Sequence, residues 1–291
     1  MWLRCGWSEN AVTSLRGGTV LGMRVTGDGG VGIEVFLDGP EDGTPVLLMH
    51  GWPDSHTLWR HQVKALSEAG FRTIAPDLRG FGGSDKPIEV EAYKLAHSVV
   101  DMIAVLDACG VEKANVVCHD WGAVAGWGLA AFVPDRVERL AALSVGHPRA
   151  FSDAGFAQRM RSLYMLLFNI PVIAEEWFAK FGPDMLASHK DRDAVIADLE
   201  RPGALTASFG WYRANAHPRT IINPPPELPP ISCSVMGVWG RGETALTEKQ
   251  MTGSENYVDG PWRYERLDNA AHWMQLDAPD EVSALLLDFL S

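Results

Sequence analysis

The sequence predicts an α/β protein: a mostly parallel β-sheet covered by helices on both faces and interrupted by a helical insertion. Three observations carry this. Short apolar runs alternate with helical segments from about residue 45 to 146, the order that builds parallel strands joined by crossover helices. Strand signals then vanish from about 148 to 226, where segments rich in Phe, Trp, Tyr, Leu and Met take over. The alternation resumes after a proline-rich stretch at 223–230.

The elements follow in order. Two strand-like pieces, 20–25 and 32–37, flank Gly27-Asp28-Gly29-Gly30, residues that favour a turn. Pro45-Val46-Leu47-Leu48-Met49 is apolar throughout, as a strand buried on both faces must be. A helix over 57–69 and a strand over 72–75 come next. Helical periodicity over 93–108 stops at Gly110, a residue suited to the left-handed position past a helix end. An apolar strand through Cys118 leads to a helix over 122–133 that is apolar on every side and therefore predicted to be buried. A strand over 137–145 precedes the insertion; strands over 231–238 and 262–267 and a helix over 279–290 follow it. The sheet thus has eight strands. The chain divides into a core (1–147 and 227–291) and a helical cap (148–226) inserted after the sixth strand, with the prolines as a stiff connector.

Composition narrows the function. The chain has 291 residues, 46% hydrophobic and 21% charged, enough for a large core. Its net charge is −12, with 37 acidic against 25 basic residues, and no dense Lys/Arg block appears. Nucleic acid and membrane surfaces are therefore not expected partners; a monomer or a homodimer is compatible with the sequence. The four cysteines (Cys5, Cys109, Cys118 and Cys233) have neither zinc-site nor C-x-x-C spacing, and they read as reduced residues of a cytoplasmic protein. The first 16 residues lack the apolar stretch of a secretion signal, and no apolar run has the roughly 18 residues that a membrane span needs.

The chemistry centres on Val116-Val117-Cys118-His119-Asp120-Trp121-Gly122. An apolar strand turning sharply into a helix, with small residues two before and two after a polar one, is the pattern that forces one nucleophilic side chain outward. Here that residue is Asp120, and Cys118 stands where a glycine is usual. A carboxylate suits attack on saturated carbon, with an alkyl ester as intermediate, and makes ordinary esterase or peptidase chemistry unfit. The helix N-terminus favours its charged form. Read alone, Asp120 is also compatible with a simple N-cap.

Two turns supply partners. His50-Gly51-Trp52-Pro53 follows an earlier apolar strand and can aim the Trp52 N–H at the site; with the Trp121 N–H it would make a two-donor oxyanion hole. Asp77-Leu78-Arg79-Gly80-Phe81-Gly82-Gly83 does not fit a phosphate loop and reads as a tight structural loop. His272, between the last strand and the last helix, is placed to deprotonate water. Glu243, past another strand end, is placed to orient that imidazole, though a glutamate must fold back to reach where an aspartate is more usual. As alternatives, His272 and Glu243 are solvated loop residues.

Taken together, the chain resembles an α/β-hydrolase-fold epoxide hydrolase over nearly its full length. The resemblance rests on His50-Gly51-Trp52-Pro53, His119-Asp120-Trp121-Gly122 and His272 before the C-terminal helix. Two insertion segments add to it: Tyr164 to Asn169, and Gly203-Ala204-Leu205 followed by Gly210-Trp211-Tyr212-Arg213-Ala214-Asn215. The resemblance implies that Tyr164 and Tyr212 polarise an epoxide oxygen, that Asp120, His272 and Glu243 form the catalytic unit, and that no cofactor or metal is needed. His50, Pro53 and Trp211 are expected to contact substrate. The lid aromatics Trp177, Phe178, Phe209 and Trp211 suggest an apolar, aryl-bearing epoxide and are equally compatible with simple packing. Departures from the family pattern are Cys118, Glu243 and Asn169. The alternatives are a haloalkane dehalogenase using the same aspartate, and a non-catalytic ligand-binding protein on this fold.

Overall fold

The computed structural model describes residues 21–218 and 228–291. Its strands are β1 (Leu21–Thr26), β2 (Gly32–Asp38), β3 (Thr44–Met49), β4 (Phe71–Pro76), β5 (Ala114–His119), β6 (Val137–Leu143), β7 (Ser234–Gly240) and β8 (Trp262–Leu267). They form one sheet in the order β1-β2-β4-β3-β5-β6-β7-β8. β2 is antiparallel to β1 and β4, and every other pairing is parallel. From β3 the chain crosses outward to β4 and then returns to the other side as β5. That reversal opens a crevice at the carboxyl ends of β3 and β5, where open α/β sheets place their sites.

The central strands are apolar because both faces are covered: every residue of β5, and Val46 to Met49 of β3, is buried. The core helices are α1 (Arg60–Glu68), α2 (Leu95–Ala108), α3 (Trp121–Phe132), and the short α10 (Glu248–Thr252) and α11 (Met274–Asp277) before α12 (Pro279–Leu290). α1 packs on α12, and α2 on α3. α3 is buried on nearly all sides, consistent with its lack of a polar stripe. No helix among the described residues is long and apolar enough to cross a membrane.

Among the described residues, six α-helices lie between β6 and β7: α4 (Pro148–Asp153), α5 (Phe156–Arg161), α6 (Tyr164–Phe168), α7 (Ile173–Met185), α8 (Arg192–Leu199) and α9 (Ala204–Asn215). The segment between α7 and α8 clasps the core with three successive side chains. His189 Nε2 donates to Asp54 Oδ1 at 3.0 Å, Lys190 Nζ donates to Leu276 O at 2.6 Å, and Asp191 pairs with Arg60 at 2.5 Å. Asp54 also accepts the Trp273 indole N–H at 3.0 Å. The lid aromatics pack inward: Phe168, Phe178 and Phe209 surround the Trp52 ring at 5.4 to 6.4 Å between centroids, and the Trp211 indole donates to Arg79 O.

Several boundaries differ from the sequence reading. The strand expected from 231 begins at Ser234; Ile231 makes a single bridge to Val258, and the ladder to β8 starts only at Val235. The strand expected to reach 145 stops at Leu143 because Ser144 adopts φ 66°. The helix expected from 93 is a 3-10 turn (Val90–Tyr93) and then α2, broken by the extended ψ of Lys94. The helix expected from 57 likewise begins as a 3-10 turn, His56–Trp59. In the glycine-rich loop, Gly80 and Gly82 take positive φ, and the buried Arg79 pairs with Asp101 at 2.7 Å, a structural role. Cys109 and Cys118 are buried free thiols and Cys233 is half-buried. Residue 20, Cys5, the N-terminal segment read for a signal and most of the proline connector lie outside the described residues.

Candidate active site

β5 ends at His119 and α3 starts at Trp121, so the chain turns at Asp120. Asp120 has φ 51° and ψ −122°, a backbone state that costs a non-glycine residue on the order of 1–3 kcal/mol and thrusts its side chain out of the turn. Small neighbours make this possible. A Cβ at Gly122 would collide with the main chain of Met49 and His50, and one at Gly51 with the Asp120 carboxylate.

Asp120 Oδ1 accepts the Trp52 N–H at 2.7 Å, and the Trp121 N–H also bonds the carboxylate. Both expected oxyanion donors therefore converge on one oxygen-rich point. Burial nevertheless raises the Asp120 pKa, against the opposing pull of His272 and of the Trp121 and Trp52 N–H groups. Desolvation outweighs the helix N-terminus here, a balance that position in the sequence did not reveal.

His272 lies between β8 and α11, with Nε2 3.7 Å from Asp120 Oδ2 and both side chains 14% exposed. Its Nδ1 donates to Glu243 Oε2 at 2.6 Å. The glutamate does fold back: its other oxygen accepts the N–H groups of Ala245 at 2.8 Å and Leu246 at 3.3 Å. Burial pushes the Glu243 carboxyl up, but His272 and the two N–H groups outweigh it and hold it below its ordinary range. Burial works against a charged imidazole too, yet the charges of Glu243 and Asp120 prevail and raise His272 to about 9.

Tyr164 on α6 and Tyr212 on α9 hang over the carboxylate. Their rings meet at 6.2 Å, and their hydroxyls are mutual hydrogen-bond partners. Tyr212 stands edge-on to Trp121 at 5.1 Å and to Phe168 at 5.0 Å. Burial raises both phenol pKa values, and the Asp120 charge adds to this, so both hydroxyls are proton donors at neutral pH. Asp120, His272, Tyr164 and Tyr212 line one cavity of about 220 Å³, whose other walls include Trp121, Val145, Phe151 and Met165.

Comparison with known proteins bears on this arrangement. A family model described as the alpha/beta hydrolase fold matches residues 44–279. The chain is 32% identical to epoxide hydrolase A of Mycobacterium tuberculosis, over 92% of this chain and 97% of the relative. The chain belongs to the epoxide hydrolase family of α/β hydrolases. It is also 32% identical to the AB hydrolase superfamily protein YfhM of Bacillus subtilis, over 90% of this chain and 95% of that one. A solved structure described as one of the novel epoxide hydrolases in metagenomes from hot environments superposes with a TM-score of 0.83 at 30% identity, covering 94% of this chain and 99% of that one.

Within this family framework, three expected substrate contacts lie elsewhere. His50 is fully buried; its Nε2 accepts the Leu78 N–H at 2.9 Å, so it braces the loop beneath the site. Pro53 borders a separate cleft with Asp54 and Arg60. Trp211 is sealed in the cap behind Tyr212, its indole N–H on Arg79 O. None of the three lines the cavity of the catalytic groups. Conversely, residues that the sequence did not single out hold His272. His119 Nε2 and Ser144 Oγ both donate to the His272 carbonyl at 2.9 Å, and Gln158 and Arg161 of the cap bind the loop that carries Glu243. Asn169, a departure from the family pattern, donates to Met165 O and Ala216 O and braces the cap.

Proposed function

We propose that the protein opens an apolar epoxide to a vicinal diol through an ester on Asp120. The observation that carries this reading is the convergence of a carboxylate, an imidazole and two phenols on one largely apolar cavity. Asp120 Oδ2, the oxygen not held by Trp52, attacks one epoxide carbon from behind. The C–O bond of the ring breaks, and the leaving oxygen takes a proton from the Tyr164–Tyr212 pair. The proton of the His272 imidazolium restores the phenol and leaves His272 neutral.

Charge coupling makes His272 a base at the right moment. While Asp120 is a carboxylate, its charge helps to raise His272 to about 9, and the imidazole is protonated at neutral pH. Esterification removes that charge, so the His272 pKa falls and Nε2 accepts a proton from water. Hydroxide adds to the ester carbonyl, and the negative charge develops on Oδ1, to which the Trp52 N–H points, with the Trp121 N–H also directed at this group. Collapse expels the diol oxygen, which takes the proton of the new carboxyl group. Asp120 returns as a carboxylate and His272 as an imidazolium.

The phenols favour this reading over dehalogenation, which needs N–H donors for a halide; the Trp52 indole N–H is turned to Ser208 Oγ at 3.2 Å. A non-catalytic role would leave a strained, buried carboxylate without purpose. Single turnover of an aryl epoxide in heavy-oxygen water tests the scheme. Label is expected in the Asp120 carboxyl group; label confined to the diol rules the ester out. A parallel bromoalkane assay separates the dehalogenase reading.

A further inference from the structure

A glutamate in place of the shorter aspartate leaves the orienting acid with an extra torsion to restrain. In this protein the restraint comes from the loop 243–247, whose Ala245 and Leu246 N–H groups grip Glu243 Oε1. That grip is only as firm as the loop. On the core side the loop is tied by the Glu243 N–H to Gly240 O at 3.0 Å and by the Trp239 indole to Leu246 O at 3.3 Å. Thr247 O also accepts the Gln250 N–H at 3.2 Å on the core side, and further ties come from the cap. Gln158 on α5, 1% exposed, donates through Nε2 to Ala245 O at 3.0 Å and accepts through Oε1 from Thr247 N at 2.8 Å and Thr247 Oγ1 at 3.0 Å. Its second Nε2 proton goes to Ser162 Oγ at 3.1 Å, so every donor and acceptor of the amide is used. Three residues on, Arg161 Nη1 donates to Glu243 O at 3.2 Å and Leu246 O at 3.0 Å.

We propose that Gln158 is a positioning residue for the base: it holds the loop that shapes Glu243, and through Glu243 it orients His272, so that the second half-reaction requires the cap to be seated on the core. Arg161 reinforces the same hold. A buried amide whose four hydrogen bonds all serve one loop and its own helix is a rigid strut, and orientation of a general base is sensitive to small displacements.

The test resolves the two half-reactions by quenched single turnover, with mass spectrometry of the Asp120 peptide, in wild type, Gln158→Leu, Glu243→Gln and the double variant. Gln158→Leu is expected to slow ester hydrolysis about tenfold or more while ester formation changes less than about threefold. In the Glu243→Gln background the same substitution is expected to add nothing, because the two act along one line. Equal slowing of both steps, or a full additional loss in the double variant, overturns the proposal and leaves Gln158 a structural residue. Arg161→Met carries the same test, with a smaller expected effect, if Gln158→Leu does not fold. The inference rests on the ester mechanism proposed above. A wild type that forms no Asp120 ester overturns both, whereas a normal wild type beside a Gln158→Leu variant with unaltered hydrolysis overturns this one alone.

Discussion

Asp120 and His272, the proposed nucleophile and base, sit 3.7 Å apart but are built in opposite ways. Asp120 is placed by backbone: a buried central strand, a strained turn and a helix start, all within residues 114–121, with Gly51 and Gly122 leaving room. His272 is placed by side chains from far along the chain. His119 and Ser144 hold its carbonyl, Glu243 its ring, and Gln158 and Arg161 the loop under Glu243. The position of Asp120 is thus a property of the sheet, whereas that of His272 also draws on contacts between cap and core. Perturbing the cap should therefore harm ester hydrolysis before ester formation.

The strongest way to break this comparison is at the nucleophile. Asp120→Ala is expected to lower diol formation by at least about 10⁴-fold, since no other group replaces a covalent nucleophile; steady-state assay with an aryl epoxide checks it. His272→Gln should reduce turnover by on the order of 10²–10⁴, the range for loss of a general base, while the ester still forms, the phenol then being reprotonated from solvent instead of from His272. The Asp120 peptide would then carry the mass of the substrate, and full steady-state activity would remove His272 from the scheme.

Smaller effects sharpen the contrast. Tyr212→Phe should cost roughly 1–3 kcal/mol of barrier, or about 5- to 150-fold, all of it in ester formation; Tyr164→Phe should act on the same step. Unchanged rates in both single variants and the double variant would exclude the phenols. The subtlest effect is a titration. His272 in the substrate-free protein should titrate near 9, observed by NMR of the imidazole carbon. Because Asp120 and Glu243 both favour the charged ring, Asp120→Asn and Glu243→Gln should each move that midpoint downward. A midpoint unmoved in Asp120→Asn would contradict the charge-coupled switch from imidazolium to base.

The same division decides what could be read from the residues in order. The alternation of strands and helices and the turn at Asp120 are local patterns, and they lead directly to the carboxylate and to the N–H groups of Trp52 and Trp121. Tyr164 and Tyr212 came from resemblance, since nothing in a helical segment announces which aromatic faces a cavity. His50, Pro53 and Trp211, expected to contact substrate, do not line the cavity, because adjacency to a motif does not tell which way a side chain points; His50 turns down to Leu78, and Trp211 turns to Arg79. Gln158 was illegible because its partners in the loop lie 87 and 89 residues away. Ile231 misled for a different reason: it is apolar enough for a strand but forms only one bridge before the ladder begins.

Cys118 has a consequence for an enzyme that handles alkylating agents. Its sulfur lies against α3, where a Cβ at Gly126 would stand 2.6 Å from Sγ, and it donates to Ala141 O at 3.4 Å. It is wholly buried, and burial pushes the thiol well above its usual pKa. The reactive form of a cysteine is the thiolate, so the sulfur two residues from the nucleophile stays dormant. Stray alkylation of this thiol is therefore expected to be suppressed, and the intact mass of the protein should show no adduct at Cys118 after many turnovers.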